Sequence, residues 1–391
     1  MVESFHFSDK ITFSKAVYYN FNPIPLPRPF KDATGGFGAF APLQGWIQIY
    51  DTEGCCGETF CSSGMLANLL PLILTGETRT YHEWYDHIYW KLRNFGFQSG
   101  QIVDLGQLDL IMLEILARRA KQPLHRFLGA RKDWASAYKG GGAIILEDNE
   151  LVEDMVRYVE EGYTTIKFKV GSDLGKNMER DVRRMELVRK AVGDTVNIAV
   201  DGNQVWNVDD ALAFANLIRP YKPAWFEEPV HSHDMNAIKE LKLRGINMKI
   251  GFGESMRNYY AFETYAEKGV DHLMPLVGRM SRMDDLLKIR KLAKDNGLDF
   301  SSGGTTYINA VFGSLYDENE MLEFHEPIIY TLGQCLEIKP EEKNGRFYLP
   351  DIIGAPVRIA LDKLEAEGAL ESKRCFYSET AKLAFAVRAA Y

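Results

Sequence analysis

The sequence lacks any apolar run long enough to span a bilayer, and its start lacks a basic segment followed by an apolar one. We therefore expect neither a membrane anchor nor a signal peptide. Positive charge is not in excess either, because 46 Lys and Arg residues stand against 54 Asp and Glu, a formal net charge of −8. Neither a nucleic-acid-binding surface nor an affinity for anionic membranes is therefore expected.

Cysteine is scarce, with five residues in a chain of 391. This odd and sparse set is not typical of a disulfide scaffold, and the adjacent pair Cys55 and Cys56 matches no zinc-ligand spacing. Reduced thiols in a cytoplasmic protein are the expected state. With 46% hydrophobic and 26% charged residues the composition is that of an ordinary globular protein, and the length fits a barrel with a smaller domain.

The first part of the chain, residues 1–130, has the pattern of an α+β domain. Two strands are predicted, at residues 16–21 and 44–50, and a Pro/Gly-rich loop at residues 22–42 separates them. The loop is longer than an ordinary hairpin loop, which is typical of a lid. From residue 62 to about residue 128, apolar residues recur at helical spacing.

The pattern changes to alternating strands and helices at residues 131–339. The predicted strands lie at residues 134–138, 165–170, 197–200, 224–226, 249–252, 272–274 and 300–302. Amphipathic stretches between them include residues 151–160, 178–191, 208–218 and 283–296. This alternation predicts parallel β/α units in a second domain. We expect the less regular tail, residues 340–391, to pack back on the first domain.

Three acidic residues follow short apolar runs at near-equal intervals: Asp201, Glu227 and Glu254, separated by 26 and 27 residues. That interval is about one strand–helix unit of a β/α barrel, in which the carboxyl ends of the strands converge on one mouth. Three carboxylates there repel one another unless a cation holds them, and oxygen-only ligation suits Mg²⁺. The pattern predicts a Mg²⁺-dependent enzyme.

Two lysines, Lys167 and Lys169, stand two apart in a predicted strand, so their side chains face the same mouth. A second ammonium and a nearby cation both disfavour a charged lysine, so we expect a lowered pKa and a role as general base. Two solvated lysines at a strand edge are the alternative for this motif alone. Asn203, two residues after Asp201, is a candidate contact for the substrate or for a metal ligand.

Taken in order, these motifs resemble the signature of the enolase superfamily, and more narrowly of its mandelate racemase/muconate lactonizing enzyme group. The resemblance rests on Lys167-x-Lys169, Asp201-x-Asn203, Phe226-Glu227-Glu228-Pro229 and Gly253-Glu254. Upstream, the stretch Asp109-Leu-x-x-Leu-Glu114 resembles the last helix of the family's capping domain. The segments Gln122-Pro123-Leu124 and Leu128-Gly129 resemble its junction with the barrel.

The resemblance implies an α/β fold, a modified (β/α)₇β TIM-type barrel with an N-terminal α+β capping domain. It also implies Mg²⁺ held by Asp201, Glu227 and Glu254, and removal of a proton α to a substrate carboxylate. Lys169 is then the expected base, and Mg²⁺ with Lys167 is expected to stabilise the ene-diolate. Members of the family form oligomers, so a homo-oligomer is expected.

The chain departs from the family at two strand ends. Many relatives have an Asp or a second Lys at the end of the sixth barrel strand, where this chain has Leu276, with Arg279 close by. The seventh strand region, residues 300–306, contains no histidine, so the His–Asp dyad of acid-sugar dehydratases is expected to be absent. Lysine-initiated chemistry on one face is favoured over racemisation, which needs a base on each face.

Further residues are candidate substrate contacts. Glu323 falls where the family has a carboxyl group that contacts the substrate, and Lys139 ends the predicted first barrel strand. Without the dyad, the leaving hydroxyl receives its proton either from Lys169 itself, which we favour, or from a residue on the opposite face. The candidates for that second position are His231, His233 and Tyr307.

The resemblance favours a sugar-acid dehydratase, which removes water from an aldonate, an aldarate or a hexuronate such as galacturonate and gives a keto-deoxy sugar acid. The alternative reaction class is a cycloisomerase or epimerase that acts on a carboxylate substrate. A third hypothesis is a barrel that keeps its metal ligands for stability alone. The two lysines argue against it, because a structural Mg²⁺ site gains nothing from nearby cations.

Overall fold

The computed structural model describes residues 5–36, 38–41 and 45–378. The chain begins with a sheet-rich region that is followed by helices. Its strands are β1 (Lys10–Ile11), β2 (Phe13–Phe21), β3 (Pro25–Phe30), β4 (Gly38–Phe40), β5 (Gly45–Asp51), β6 (Cys56–Cys61) and β7 (Arg79–Thr80). Its α-helices are α1 (Gly64–Asn68), α2 (Leu70–Ile73), α3 (Tyr81–Leu92), α4 (Gly100–Arg119) and α5 (Leu124–Phe127), with a 3₁₀ turn at Arg93–Phe95.

The predicted loop at residues 22–42 contains an unpredicted hairpin. Its strands β3 and β4 pair antiparallel, with Pro25 opposite Phe40 and Phe30 opposite Gly38. Three prolines in β3 obscured the strand in the sequence, because proline cannot donate a backbone hydrogen bond and is tolerated only at an edge or a bulge. Part of the predicted loop and of the strand after it, at residues 37 and 42–44, lies outside the described residues.

The next part of the chain alternates strands and helices. The strands are β8 (Trp134–Gly141), β9 (Thr165–Lys169), β10 (Asn197–Asp201), β11 (Phe226–Glu227), β12 (Ile250–Phe252), β13 (His272–Leu273), β14 (Leu276–Val277), β15 (Asp299–Gly304) and β16 (Met321–His325). The helices are α6 (Asp148–Glu160), α7 (Met178–Val192), α8 (Val208–Ile218), α9 (Met235–Leu243), α10 (Tyr259–Lys268), α11 (Asp284–Asn296), α12 (Thr306–Gly313) and α13 (Glu326–Gly333), with a 3₁₀ turn at Arg219–Tyr221.

These strands close into a parallel barrel in the order β8–β9–β10–β11–β12–β13–β15–β16, and β16 pairs back with β8. The short strand β14 continues the sixth position beyond Pro275 and pairs with β15. The predicted TIM-type barrel with a capping region is therefore confirmed. The eighth strand, β16, is not among the seven predicted strands.

The remaining elements extend the barrel sheet and then return to the N-terminal region. They are β17 (Leu336–Ile338), β18 (Glu341–Lys343), β19 (Arg346–Tyr348), β20 (Arg358–Ile359), α14 (Leu361–Ala366) and β21 (Leu370–Tyr377). Strand β18 pairs with β19, and β19 pairs with β8 of the barrel. Strand β21 pairs antiparallel with β2 and completes a sheet of order β21–β2–β5–β6. The domain limits at residues 130 and 340 stay predictions, and residues 379–391 of the predicted tail lie outside the described residues. Within the part of the chain that the structure describes, every helix is too short or too polar to cross a membrane.

Helix α4 joins the N-terminal sheet to the barrel. A Cβ at Gly106 would collide with the carbonyl oxygen of Met280, so only glycine allows this close approach. One turn further along, Asp109 Oδ2 accepts a hydrogen bond of 2.7 Å from the backbone N–H of Met283. Burial raises the pKa of the fully buried Asp109 carboxyl to about 7, although the Met283 N–H opposes this shift.

This junction makes stability depend on pH. An acid whose pKa is higher in the folded protein than in the unfolded chain destabilises the fold as the pH rises from about 4 to about 7. The Asp109→Asn variant keeps a carbonyl acceptor for Met283 and cannot ionise. We expect its melting temperature to fall less than that of the unaltered protein between about pH 5 and about pH 8. The exposed Asp86 supplies the control, Asp86→Asn. Equal falls in all three proteins would contradict a buried, titrating Asp109.

Candidate active site

The carboxyl ends of four neighbouring strands bring the predicted lysines and acids together. Lys167 and Lys169 are the third and last residues of β9, and Lys169 stands in register with Asp201 at the end of β10. Asp201 is in turn in register with Glu227 at the end of β11, and Glu254 follows β12 by two residues. The predicted order of charged residues around the mouth is therefore the order in the structure.

The two lysines make direct ion pairs with the acids. Lys169 Nζ lies 2.6 Å from Asp201 Oδ2. Lys167 Nζ lies 2.6 Å from Glu227 Oε2 and 2.8 Å from Glu323 Oε1. The side chains of Lys167, Lys169, Asp201 and Glu227 are all buried, so their charges interact with little screening by water. Lys167 holds two acids that come from different sides of the barrel.

A glycine in β8 allows Lys167 and Glu323 to meet. In the sheet, Gly140 is in register with Lys167 on one side and with His325 on the other. A Cβ at Gly140 would lie 2.8 Å from Glu323 Oε1, closer than real side chains allow. Because Gly140 has no side chain, the Glu323 carboxylate of β16 has room to reach the Lys167 ammonium of β9.

Between the side chains alone, these contacts oppose the predicted lowering of a lysine pKa. Burial alone lowers the pKa of Lys167, but Glu227 and Glu323 outweigh it and raise this pKa well above its usual value. Burial also opposes the charge on Lys169, and Asp201 raises its pKa despite the nearby Lys167. The prediction counted the second ammonium and a nearby cation, whereas the carboxylates that pair with each lysine act in the opposite direction.

Carboxylates outnumber the lysines in this cluster. Asp201, Glu227, Glu228, Glu254 and Glu323 interact electrostatically with one another or with the two lysines. Burial raises the pKa of Glu227 to about 8, against the pull of Lys167, and it also raises the pKa of Glu228. Raised pKa values of buried acids mean that the cluster gains stability from further positive charge.

The donor set of Asp201, Glu227 and Glu254 fits Mg²⁺ by its chemistry, because all of its side-chain donors are carboxylate oxygens. In the described residues, no group of three or more His, Cys, Asp or Glu side chains is gathered closely enough to form a ready-made ion site. The ammonium groups of Lys167 and Lys169 instead hold oxygens of Glu227 and Asp201. A cation at these residues would have to share or replace those contacts.

The loop after β10 has an unusual backbone that supports the acids. Asn203, Gln204 and Glu228 have φ angles of 43°, 67° and 43°, in the left-handed region that non-glycine residues rarely adopt. Gln204 Nε2 donates to Glu228 Oε2 at 2.9 Å, while its own Oε1 accepts from the N–H and the hydroxyl of Ser232. Glu228 is thereby held by a neutral partner beside Glu227, and the strained backbone is fixed by these hydrogen bonds.

A cavity of about 340 Å³ opens at the barrel mouth, within the usual size for small-molecule sites. Four of the predicted residues line it: Lys169, Asn203, Glu254 and Glu323. Asn203 Oδ1 is buried and accepts no hydrogen bond from the described residues, so it is free to bind a ligand. Lys167, Asp201 and Glu227 are not cavity-lining residues and contact the lining from beneath.

Four other predicted contacts do not line this cavity. Lys139 faces outward from β8, where its Nζ lies near Glu161, 3.1 Å from Glu326 and 3.2 Å from Glu342. Its predicted position at the mouth is wrong, because the inward side chains of β8 belong to the alternate residues Tyr138 and Gly140.

The three predicted alternatives for the proton donor also lie elsewhere. Tyr307 is buried outside the cavity, with its hydroxyl against Gly333 and its ring 5.8 Å from Lys339 Nζ. His231 and His233 are exposed on the loop before α9, where the His233 N–H donates to His231 Nδ1. Their predicted place at the substrate is not supported by this geometry.

Sequence reasoning missed several residues that line the cavity, above all His325 at the end of β16. His325 is two residues beyond Glu323, so the alternation that links Lys167 to Lys169 could have found it. The hairpin in the predicted loop contributes Phe30, and the following turn contributes Asp32. No local pattern indicates these two, because they reach the mouth through the folding of the N-terminal region onto the barrel.

A second cavity, of about 680 Å³, is larger but lies outside the barrel, between β3, α6 and α13. Its charged residues pair with one another, as in the contacts of Lys139 with three glutamates and of Arg157 with Glu326. The smaller cavity at the mouth is the better candidate active site, since it combines a buried lysine, unpaired polar atoms and surplus carboxylate.

Comparison with known proteins yields relatives along most of the chain. A family profile described as "Enolase C-terminal domain-like" matches residues 150–363. Arabinonate dehydratase from Saccharolobus solfataricus is 25% identical over 313 residues, 78% of this chain and 82% of that protein. A 3,6-anhydro-alpha-L-galactonate cycloisomerase from Streptomyces coelicolor is 25% identical over 293 residues, 72% of this chain and 80% of the relative.

A solved structure shares the fold. L-talarate dehydratase from Polaromonas sp. JS666, crystallised with Mg and L-glucarate, superposes with a TM-score of 0.78 at 21% sequence identity. The match covers 94% of this chain and 99% of the other. The similarity therefore extends over the N-terminal region and the barrel together.

Proposed function

The chain belongs to the enolase superfamily, in its mandelate racemase/muconate lactonizing enzyme group, and on that premise we propose that it is a Mg²⁺-dependent sugar-acid dehydratase. The observation that carries the proposal is one cavity in which Lys169 and Glu254 face the same space, with Asp201 directly behind the lysine. A base beside a set of carboxylate oxygens suits removal of a proton α to a carboxylate. The substrate class is an aldonate, an aldarate or a hexuronate such as galacturonate.

The residues have distinct roles in this proposal. Lys169 Nζ takes the α-proton, because it is the lysine that lines the cavity. It must be neutral to do so, and a cation held at Asp201 would weaken the ion pair that raises its pKa. Lys167 keeps Glu323 in place through their 2.8 Å contact, and its charge favours an anionic substrate. Asn203 offers its free Oδ1 to a substrate hydroxyl. Asp201, Glu227 and Glu254 would hold Mg²⁺, which when bound supplies positive charge that stabilises the ionised substrate.

The sixth and seventh strands favour elimination over racemisation. Leu276, which lines the cavity from β14, has no group that could accept or donate a proton. Residues 299–304 of β15 contain Asp299, two serines and two glycines but no histidine. A racemase needs an acid–base group on each face of the α-carbon, whereas dehydration needs a base for the α-proton and a proton for the leaving hydroxyl. Neither strand supplies a second base.

An isomerase is the second candidate function. The similarity to a cycloisomerase, at 25% identity over most of the chain, favours this alternative specifically. Ring opening or closing can begin with the same abstraction of a proton by Lys169. The reaction classes differ in mass balance, because an isomerase conserves the mass of its substrate and a dehydratase releases water.

The first test is incubation with a panel of aldonates, aldarates and hexuronates in the presence of Mg²⁺. We expect at least one acid to lose one water and to give a product whose new carbonyl reacts with semicarbazide. A product of unchanged mass would support the isomerase. If Mg²⁺ binds but no acid is converted, the catalytic proposal fails and the structural-barrel hypothesis gains support. We also propose that the protein is a cytoplasmic homo-oligomer. Its oligomeric state should be measured in the same preparation.

Replacing the base separates binding from chemistry. In Lys169→Ala, we expect the fold and Mg²⁺ affinity to persist, since Lys167 Nζ, 3.7 Å from Asp201 Oδ2, remains as a cationic partner of that carboxylate. Dehydration should fall by about 10²–10⁴-fold, and exchange of the α-proton in D₂O should disappear. NMR of the recovered substrate measures the exchange. The exposed Lys176 provides the control, Lys176→Ala. Continued exchange in Lys169→Ala would show that another group is the base.

The metal assignment has its own test. Glu227→Ala removes one proposed donor and also one partner of Lys167. We expect weaker Mg²⁺ binding by calorimetry and loss of turnover, while the exposed-residue control Glu341→Ala retains both. Near-normal Mg²⁺ affinity and rate in Glu227→Ala would show that the ligand assignment is wrong.

A further inference from the structure

His325 occupies the cavity without a role in the chemistry described so far. It ends β16, two residues after Glu323, and lines the same cavity as Lys169. Its strand and that of Lys169 are both neighbours of β8, so the two side chains enter the mouth from either side of one strand. Gly140, the β8 residue between them, has no side chain, and the Glu323 carboxylate occupies the space beside it.

The surroundings of His325 fix its ring. The ring packs edge to face against Phe30, with centroids 4.7 Å apart and planes at 76°. Its Nδ1 is buried and makes no hydrogen bond with the described residues. A buried nitrogen without a partner costs free energy, which is recovered when a ligand supplies the partner. The ring is therefore positioned by packing while one of its polar atoms remains available.

The charge state of His325 follows from its neighbours. Burial lowers the pKa of the imidazole to about 4; Glu323 opposes this shift, and Lys169 and Lys167 add to it. The ring is neutral near pH 7. A neutral imidazole has one N–H donor and one acceptor nitrogen, so it can donate a proton from one nitrogen and take up another in return. Neutral histidines can also stabilise developing negative charge as hydrogen-bond donors.

We propose that His325 delivers the proton to the leaving β-hydroxyl, an assignment that rests on the proposed dehydratase function. The other candidates, His231, His233 and Tyr307, do not line the cavity. Among the other lining residues, Leu276 is apolar, and Glu254 and Glu323 serve as a proposed metal ligand and as the partner of Lys167. The Asp32 carboxylate accepts hydrogen bonds from the N–H groups of Thr34 and Gly35 in its own turn, and the guanidinium of Arg279 holds its proton too tightly to act as the acid.

The proton balance of this step closes within the site. Lys169 takes the α-proton, and the electron pair of the C–H bond forms the new carbon–carbon double bond. The C–O bond breaks with its electron pair on oxygen, and the N–H proton of neutral His325 converts the departing hydroxide to water, which leaves His325 as an imidazolate beside the positive charges of Lys169 and Lys167. The imidazolate then takes the proton from the Lys169 ammonium, so that His325 and Lys169 both return to their neutral starting states. Overall, the proton taken from the α-carbon replaces the one that His325 gave to the departing water.

The test separates proton abstraction from departure of the hydroxyl. His325→Asn keeps a hydrogen-bonding side chain, and His325→Phe keeps the ring packing against Phe30. In D₂O with a converted sugar acid, we expect both variants to lose dehydration by about 10²–10⁴-fold. The recovered substrate should nevertheless carry deuterium at the α-carbon, because Lys169 still removes and returns that proton. His87→Asn, on α3 far from the mouth, is the matched control.

A β-fluoro analogue of the same acid provides a second readout. Fluoride departs without being protonated, so its elimination by His325→Asn should proceed at close to the unaltered rate. A residue that merely shaped the cavity would affect both substrates alike. Dehydration at a near-normal rate in His325→Asn would overturn the proposal and return the acid role to Lys169. Loss of exchange together with dehydration, with the fold and Mg²⁺ binding intact, would also overturn it. If the unaltered protein neither exchanges nor dehydrates any acid, the dehydratase function itself fails.

Discussion

The barrel mouth holds more buried carboxylate than ammonium, and this imbalance is the constraint on which the rest of the site depends. Asp201, Glu227 and Glu254 come from three adjacent strands, while Glu228 and Glu323 add two further acids. Among the described residues, the salt bridges to these acids come from Lys167 and Lys169. Buried charge of one sign is costly unless it is compensated. A divalent cation shared by the three acids would remove that cost, and the same charge would attract an anionic substrate.

The rest of the structure arranges these charged side chains so that only some of them face the cavity. Lys167 is enclosed by carboxylates, whereas Lys169 reaches the lining, so the two lysines of one strand have different surroundings. Gly140 leaves the space through which Glu323 reaches Lys167. The N-terminal region closes the other side, since Phe30 packs against His325. The cavity is thus built jointly by the barrel and by a hairpin far away in the sequence.

Residues at the ends of regular strands could be predicted from the sequence, because a buried apolar run followed by a charged residue has few structural interpretations. Asp201 and Glu227 were found in this way, and period-two alternation placed Lys167 and Lys169 together. Lys139 was placed at the mouth only because it ends the predicted strand, but β8 continues to Gly141, and alternation along it turns Lys139 to the outer face. Roles that depend on long-range packing, such as that of Phe30, leave no local pattern. The lysine pKa values also depend on partners from other strands, which spacing alone does not count.

The claim that the carboxylates share one cation is tested most directly by diffraction. Crystals soaked with Mn²⁺, a hard divalent ion with anomalous scattering and oxygen ligands like those of Mg²⁺, would locate the ion without assumption. We expect one anomalous peak within bonding distance of Asp201, Glu227 and Glu254, with Lys169 Nζ displaced from Asp201 Oδ2. A mouth without a peak, in which Lys169–Asp201 and Lys167–Glu227 stay paired at their 2.6 Å contacts, would contradict the claim.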